Sequence, residues 1–234
     1  MSTVSIQDLV DAGFHFGHRT SKWNPKMKPF IFGKRNLIHI INLRETVKGL
    51  ITAGKFLTNL VQAKKDVLFV GTKWQARDIT VREAQRCGMH YVSERWLGGT
   101  LTNFDTIRKR LERLEELENL EETGGINQFS KKAISSLNRE RKKILKNLEG
   151  IRNMTSLPGL LVIVDPKHEH NAAMEAKKLG IPTICLADTD CDPGMVDICV
   201  PGNDDAIRSI DLFLTKTADA VLAGKERMIT MAKV

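Results

Sequence analysis

The sequence predicts an α/β protein, a parallel sheet with helices on both faces and an antiparallel helical hairpin inserted between two strands. Three observations carry this. First, short continuously apolar runs recur at Val67-Leu-Phe-Val70, Leu160-Leu-Val-Ile-Val164 and Thr183-Ile-Cys-Leu-Ala187. Such runs suit strands buried on both faces. Second, helical patterns separate them, as parallel β-α-β units require. Third, one stretch breaks the alternation: Ile107, Leu111, Leu114, Leu117 and Leu120 repeat at helical spacing, and Leu137, Ile144, Leu148 and Ile151 resume the repeat after Gly124 and Gly125. That reads as two helices joined by a tight turn, with a coiled-coil-like seam.

The elements follow in order. Ser5 to Ala12 is a short helix with Ile6, Leu9 and Val10 on one face, ended by Gly13 and Gly17. Gly17 to Lys28 reads as loop, and Leu37 to Ile41 as a short strand. Asn42 caps a helix from Leu43 to about Lys64. After the strand at Val67, a helix runs to Cys87, where Gly88 stops it, and Met89 to Val92 is the next strand. The hairpin arms are Asn103 to Glu122 and Ser130 to Glu149, each about 27 Å long for ~18 residues. Beyond Leu160 come a helix from His168 to Leu179, the strand at Thr183, a short strand Ile198-Cys-Val200, and a closing helix to about Leu222 capped by Asn203 or Asp204. The division expected is a sheet domain over residues 1–102 and 152–234, with the hairpin at 103–151 as an independently packed projection.

Charge is unevenly spread. The 234 residues carry 36 Lys+Arg against 28 Asp+Glu, a net +8 that favours an anionic partner. No carboxylate lies between Asp11 and Glu45, where Arg19, Lys22, Lys26, Lys28, Lys34, Arg35 and Arg44 are interspersed with His15, His18, His39, Trp23 and Asn24. From Leu186 to Ala220 the balance reverses, with eight aspartates against Arg208 and Lys216. The basic segment either meets an anion or pairs internally with this acidic region. In the hairpin the first arm carries seven acids and four bases, the second seven bases and two acids, so the arms attract each other.

Chemistry-bearing motifs are sparse. Gly71-Thr-Lys73 lacks the spacing of a phosphate loop, and no Gly-x-Gly-x-x-Gly follows a strand. Asp188, Asp190 and Asp192 alternate as a calcium loop begins, but the glycine comes one residue late and Cys199 stands where the bidentate Glu belongs. Asp188 and Asp190, with Asp204 and Asp205, remain weak candidates for a loosely bound magnesium; no other cofactor is expected. His168 and His170, two apart, do not share a helix face. Cys87, Cys185, Cys191 and Cys199 form no Cys-x-x-Cys pair, so a zinc knuckle is disfavoured and reduced thiols are expected. Arg95-Trp-Leu-Gly-Gly-Thr-Leu-Thr-Asn-Phe104 is a distinctive run in which Trp96 reads as packing and Arg95 as a candidate RNA contact. No catalytic constellation is found. No apolar run approaches the ~18 residues of a membrane span, and the N-terminus has neither a signal nor a transit pattern, so the chain is expected to stay where it is made.

Taken together, several blocks resemble one family. Ala12-Gly-Phe-His-Phe-Gly-His-Arg-Thr-Ser-Lys-Trp-Asn-Pro-Lys-Met27 is similar to the N-terminal signature of the bacterial-type small-subunit ribosomal protein "S two" family. Phe69-Val-Gly-Thr-Lys73, the run from Arg95 to Phe104, Pro158 to Asp165, Gly180-Ile-Pro-Thr183 and Pro201-Gly-Asn-Asp-Asp205 resemble further blocks, in order, over nearly the whole chain. The resemblance implies a flavodoxin-like (Rossmann-like) sheet with an inserted coiled-coil hairpin. It implies a structural, non-enzymatic role in the small ribosomal subunit, contacts with ribosomal RNA, and help in docking the neighbouring protein "S one" during translation. The expected RNA contacts are His18, Arg19, Lys22, Trp23, Asn24, Lys26, Lys28, Lys34, Arg35 and Arg95. The implied location is the ribosome, in a cytoplasm or a plastid stroma, with no membrane and no homo-oligomer. The alternatives are a free-standing RNA-binding regulator and a magnesium-dependent phosphoryl-transfer enzyme using the Asp188 region.

Overall fold

A computed structural model describes residues 5–232. Five parallel strands form the main sheet: β4 (Val67–Val70), β5 (His90–Val92), β6 (Leu160–Val164), β7 (Thr183–Ala187) and β8 (Ile198–Pro201), in the order β5-β4-β6-β7-β8. Counted along the chain within this sheet the order is 2-1-3-4-5, the flavodoxin-like arrangement. Side chains alternate across it. Val67, Phe69, Val162, Val164, Ile184 and Leu186 join one core with helices α2 (Leu43–Gln62), α3 (Arg77–Cys87) and α7 (Ile207–Ala232). Leu68, Val70, Leu161, Ile163 and Cys185 face the other way, toward α6 (His170–Leu179). Gly88 and Gly180 end α3 and α6 in the left-handed conformation, as their place after the apolar pattern predicts. No helix among the described residues is long and apolar enough to cross a membrane.

The second core is completed by the inserted helices. Ile107 and Leu111 of α4 (Phe104–Glu122) and Leu148 of α5 (Lys131–Leu148) are buried with the sheet residues, beside Trp96, Ile151 and Met154. The inner end of the hairpin therefore covers the sheet as a crossover helix would, and its apolar packing is continuous with the sheet. Farther along α5, Ile134 and Leu137 are only half-buried. Arg113–Glu140 (3.5 Å) and Glu121–Arg141 join the two arms, matching their opposite charge excesses.

The N-terminal region departs most from expectation. Residues 17–28 are not simply loop: β1 (Phe16–Arg19) is followed by a 3-10 turn (Pro25–Phe30) and β2 (Ile31–Arg35). With β3 (Ile38–Ile41) they form an antiparallel sheet in the order β1-β3-β2. Strands β1 and β2 are short, interrupted by Gly17 and Gly33 and end in basic residues, so they lack the apolar alternation that marks a strand. Helix α1 (Ile6–Asp11) buries only Leu9; Ile6 and Val10 are exposed. The closing helix starts later than its pattern suggests, because Asn203 organises the preceding turn by accepting from the N–H groups of Asp205 and Ala206, and it runs on to Ala232.

Candidate functional site at the strand ends

In a doubly wound sheet, ligands bind outside the carboxyl ends of the strands, where successive connections leave on opposite faces. Here that point lies between β4, which continues to α3, and β6, which continues to α6. Lys73 follows β4, Asp165 follows β6, Asp188 follows β7, and Asp204 and Asp205 follow β8. Asp165 has a left-handed backbone (φ +62°), and its Oδ1 accepts from the N–H groups of Lys167 and His168 at 3.0 Å each. An aspartate tolerates this conformation because its side chain can bond locally. That turn leaves Oδ2 facing Lys73 at 3.3 Å.

The Lys73 ammonium gathers Asp165, Asp204 (2.8 Å) and Asp205 (2.6 Å). Burial works against its charge, but Asp204 and its neighbours outweigh this and raise its pKa. Asp204 is fully buried; burial, and then Asp165, push its carboxyl well above the ordinary range, against the pull of Lys73. Asp204 Oδ1 takes the lysine, while Oδ2 is buried without a hydrogen-bond partner. Burial also raises Asp190, yet Lys167 at 2.7 Å and then His18 bring it below its usual value. A nucleotide phosphate would meet this wall of carboxylates, so the crevice is electrostatically unsuited to the ligands that many such sheets bind.

His18 reaches the same cluster from β1. Its N–H donates to Asp188 Oδ1 (3.1 Å) and Thr189 Oγ1 (2.9 Å). Its ring Nδ1 lies 2.8 Å from Asp188 Oδ2, and Nε2 lies 3.6 Å from Asp205 Oδ2. The bond to Asp188, opposed by burial and helped by the surrounding charges, raises the imidazole pKa to about 9. Gly17 makes the approach possible: a Cβ there would sit 2.7 Å from Thr189 Cγ2 and 3.1 Å from Asp188 Oδ1. Asn24 donates its N–H to the Thr189 carbonyl (2.8 Å), and Lys26 pairs with Asp192 (2.6 Å). The N-terminal sheet is thus clamped onto the acidic strand ends.

The other expected contact residues are disposed differently. Arg19, Lys22, Lys28, Lys34, Arg35 and Arg95 are exposed, as is Arg44, and among the described residues none of them forms an ion pair. Trp23 is half-buried against His39, ring centroids 5.2 Å apart. Trp96 is buried and donates Nε1 to Glu175 Oε1 (3.0 Å), as its reading as a packing residue requires. Glu175 also accepts from the N–H groups of Gly99, Leu101 and Thr102 and from the Thr102 hydroxyl. Sequence reasoning missed Glu175, Lys73 as the centre of a charge cluster, and Asp165. For Lys73 and Asp165, their place just after strand ends was the available signal; Glu175 lies mid-helix in α6 and carried none.

Comparison with known proteins settles the family. The model of the family described as "Ribosomal protein S2" matches residues 9–224. This chain belongs to the ribosomal protein S2 family. It is 55% identical over 232 residues to "Small ribosomal subunit protein uS2" of Rhodopirellula baltica, covering 99% of this chain and 89% of the relative. The protein of the same name from Syntrophobacter fumaroxidans is 53% identical over 228 residues, covering 97% and 83%. "Small ribosomal subunit protein uS2c" of Emiliania huxleyi is 50% identical over 226 residues, covering 97% and 99%. The blocks that suggested the family lie on the clamped N-terminal segment, the strand ends and the loop held by Glu175.

Proposed function

We propose that this protein is a structural component of the small ribosomal subunit that binds ribosomal RNA through its N-terminal sheet and serves no catalytic step. The carrying observation is the outward set Arg19, Lys22, Lys28, Lys34 and Arg35, exposed and free of ion pairs among the described residues. These cations suit phosphate neutralisation with counterion release, and the short antiparallel sheet holds them as a fixed surface. A-form RNA is read largely through shape and backbone, which matches a surface of cations without a base-reading pocket. Arg95 adds a cation beside the hairpin, where Lys109, Arg110, Arg113 and Lys143 line a groove between α4 and α5. The family membership and the names of the relatives support placement in the small subunit, on the ribosome. Docking of "S one", and the coiled-coil character of α4 and α5, belong to this reading through the resemblance to the family.

His18 and Lys26 contribute differently in this reading. They fasten the segment to Asp188 and Asp192, so that the remaining cations stand outward. Against a phosphoryl-transfer enzyme stand the ion pairs that engage Lys73 and the aspartates with one another. Co-sedimentation tests the proposal: tagged protein expressed in a related bacterium should travel with small subunits at near one copy each and stay bound through a moderate salt wash. Recovery only in the free-protein fractions would favour the regulator instead.

A further inference from the structure

We propose that Leu37 is an apolar wedge that inserts beside an unstacked base of ribosomal RNA, at a hairpin tip whose cations hold the surrounding phosphates. This rests on the reading of the N-terminal sheet as the RNA-binding surface, and adds a contact that is not charge neutralisation. Leu37 shares with Asn36 the two-residue turn between β2 and β3, where Arg35 pairs with Ile38 across the hairpin. Both turn residues have left-handed backbone, φ +49° at Asn36 and +62° at Leu37. Tight hairpin turns of this kind favour Asn-Gly, because their twist matches the strands only with positive φ at both positions. Asparagine tolerates that conformation, but leucine is held there at a steric cost that glycine would not incur. Packing does not offset the cost, since the Leu37 side chain is 73% exposed.

A lone exposed apolar side chain is ordinary and needs no account. One kept on a left-handed backbone at a hairpin tip is different, because such strain clusters where a binding role maintains it. The tip is also fixed in place. The Leu37 carbonyl accepts the N–H of Thr20 at 2.9 Å, Arg19 is paired with Ile38, and the Lys22 N–H closes a turn onto the Arg19 carbonyl at 2.9 Å. Leu37 is thereby bordered by exposed cations on two sides, Lys34 and Arg35 on its own hairpin and Arg19 and Lys22 on the adjoining turn. No carboxylate occurs in the sequence from residue 12 to residue 44. RNA meets both halves of this surface: phosphates face the cations, and loops and bulges expose base faces to an apolar group. Apolar wedges on cationic proteins part base steps in the same way. A tip already held in shape lowers the ordering cost of binding.

The test returns the full-length chain to small subunits of a related bacterium from which the resident copy has been washed with high salt. Affinity is measured across salt concentrations, and the RNA bases are mapped with a methylating probe. Leu37→Gly should melt about 2 °C above wild type as the backbone strain is relieved. It should nevertheless bind roughly tenfold more weakly, the scale of one leucine side chain returned to water. The loss should be the same at every salt concentration, because an uncharged side chain releases no counterions. Leu37→Met should keep affinity within about twofold of wild type. Wild type should change the reactivity of a base at its contact, and Leu37→Gly should not. Equal binding by Leu37→Gly and wild type would overturn the wedge and leave the RNA-binding reading standing. Weaker binding with an unaltered base map would also overturn it, by putting Leu37 in a pocket of a neighbouring protein. Wild type that rejoins the subunits and alters no base would overturn the RNA-binding reading itself, and the wedge with it.

Discussion

The imidazole Nδ1 of His18 lies 2.8 Å from Oδ2 of Asp188, joining the first strand of the chain to the end of its seventh. The same aspartate accepts the backbone N–H of His18, so one buried carboxylate fixes both the main chain and the ring. This pairing converts an unevenly charged sequence into a protein with one face neutralised internally and another left cationic.

A pH dependence follows from this pair. The pKa of His18 is raised from 6.5 to about 9 by its bond to Asp188. A raised folded-state pKa stabilises fully below the unfolded value and ceases to do so as pH climbs through the folded one. Stability from this group should therefore be present at pH 6 and decline between about 6.5 and 9, by up to ~3 kcal/mol. Urea melts of wild type and His18→Gln should converge toward about pH 9.5. A constant gap between them across this range would contradict the assignment.

Glu175 should be a stability hot spot despite its place on a solvent-edge helix. Removing it leaves the Trp96 indole and the Gly99, Leu101 and Thr102 N–H groups without an acceptor. Glu175→Ala should cost at least about 2 kcal/mol and alter the near-ultraviolet dichroism of Trp96. Burial opposes ionisation of this carboxyl, but the N–H of Leu101 and the Trp96 indole, with their neighbours, hold its pKa below the usual value. Its contribution is thus present above the ordinary glutamate range and fades as pH falls through the lowered pKa.

Substitutions in the hairpin should follow the burial of each side chain. Leu111 is buried in the core shared with the sheet, and Leu111→Ala should cost ~2–5 kcal/mol. Leu137 is half-buried on α5, and Leu137→Ala should cost about 1 kcal/mol. For the same reason, excision of residues 105–148 should abolish cooperative unfolding, since it strips the cover from Leu68, Val70 and Leu161. Retained cooperativity would show the hairpin to be the independent projection its sequence suggested.

RNA affinity should fall steeply with salt. Four to six phosphate contacts give a log–log slope of roughly −3 to −5. Lys34→Ala with Arg35→Ala should flatten this by nearly two, whereas Lys26→Ala, removing a cation already paired with Asp192, should flatten it by well under one. Equal effects from both variants would show that Lys26 leaves Asp192 to meet phosphate.

Much of the fold was legible because buried parallel strands are written in continuous apolar runs: Val67–Val70 and Leu160–Val164 occupy the places their composition predicts. Strands β1 and β2 were illegible because Gly17, Lys34 and Arg35 carry no apolar alternation; pairing with β3 and the clamp at Asp188 decide them. The basic and acidic segments were each visible, but their meeting was not. The contacts between them span 166 to 171 residues, and no local pattern encodes such pairings. Lys73 was discounted because its motif failed as a phosphate loop, although it is central to an ion-pair cluster.

The clamp also imposes an order on biogenesis. Translation delivers residues 16–35 first, yet the groups that receive them, Asp188, Thr189 and Asp205, are delivered last. Until β7 and β8 exist, the basic strands have no acidic surface to rest on, and their cations are all outward. Domains form from the N-terminus as they emerge, but here the first-made segment must be the last to dock. A nascent chain arrested before residue 188 would present its most positive segment unmasked, and completion of the C-terminal third is the event that shields His18 and Lys26 while leaving Lys34 and Arg35 on display.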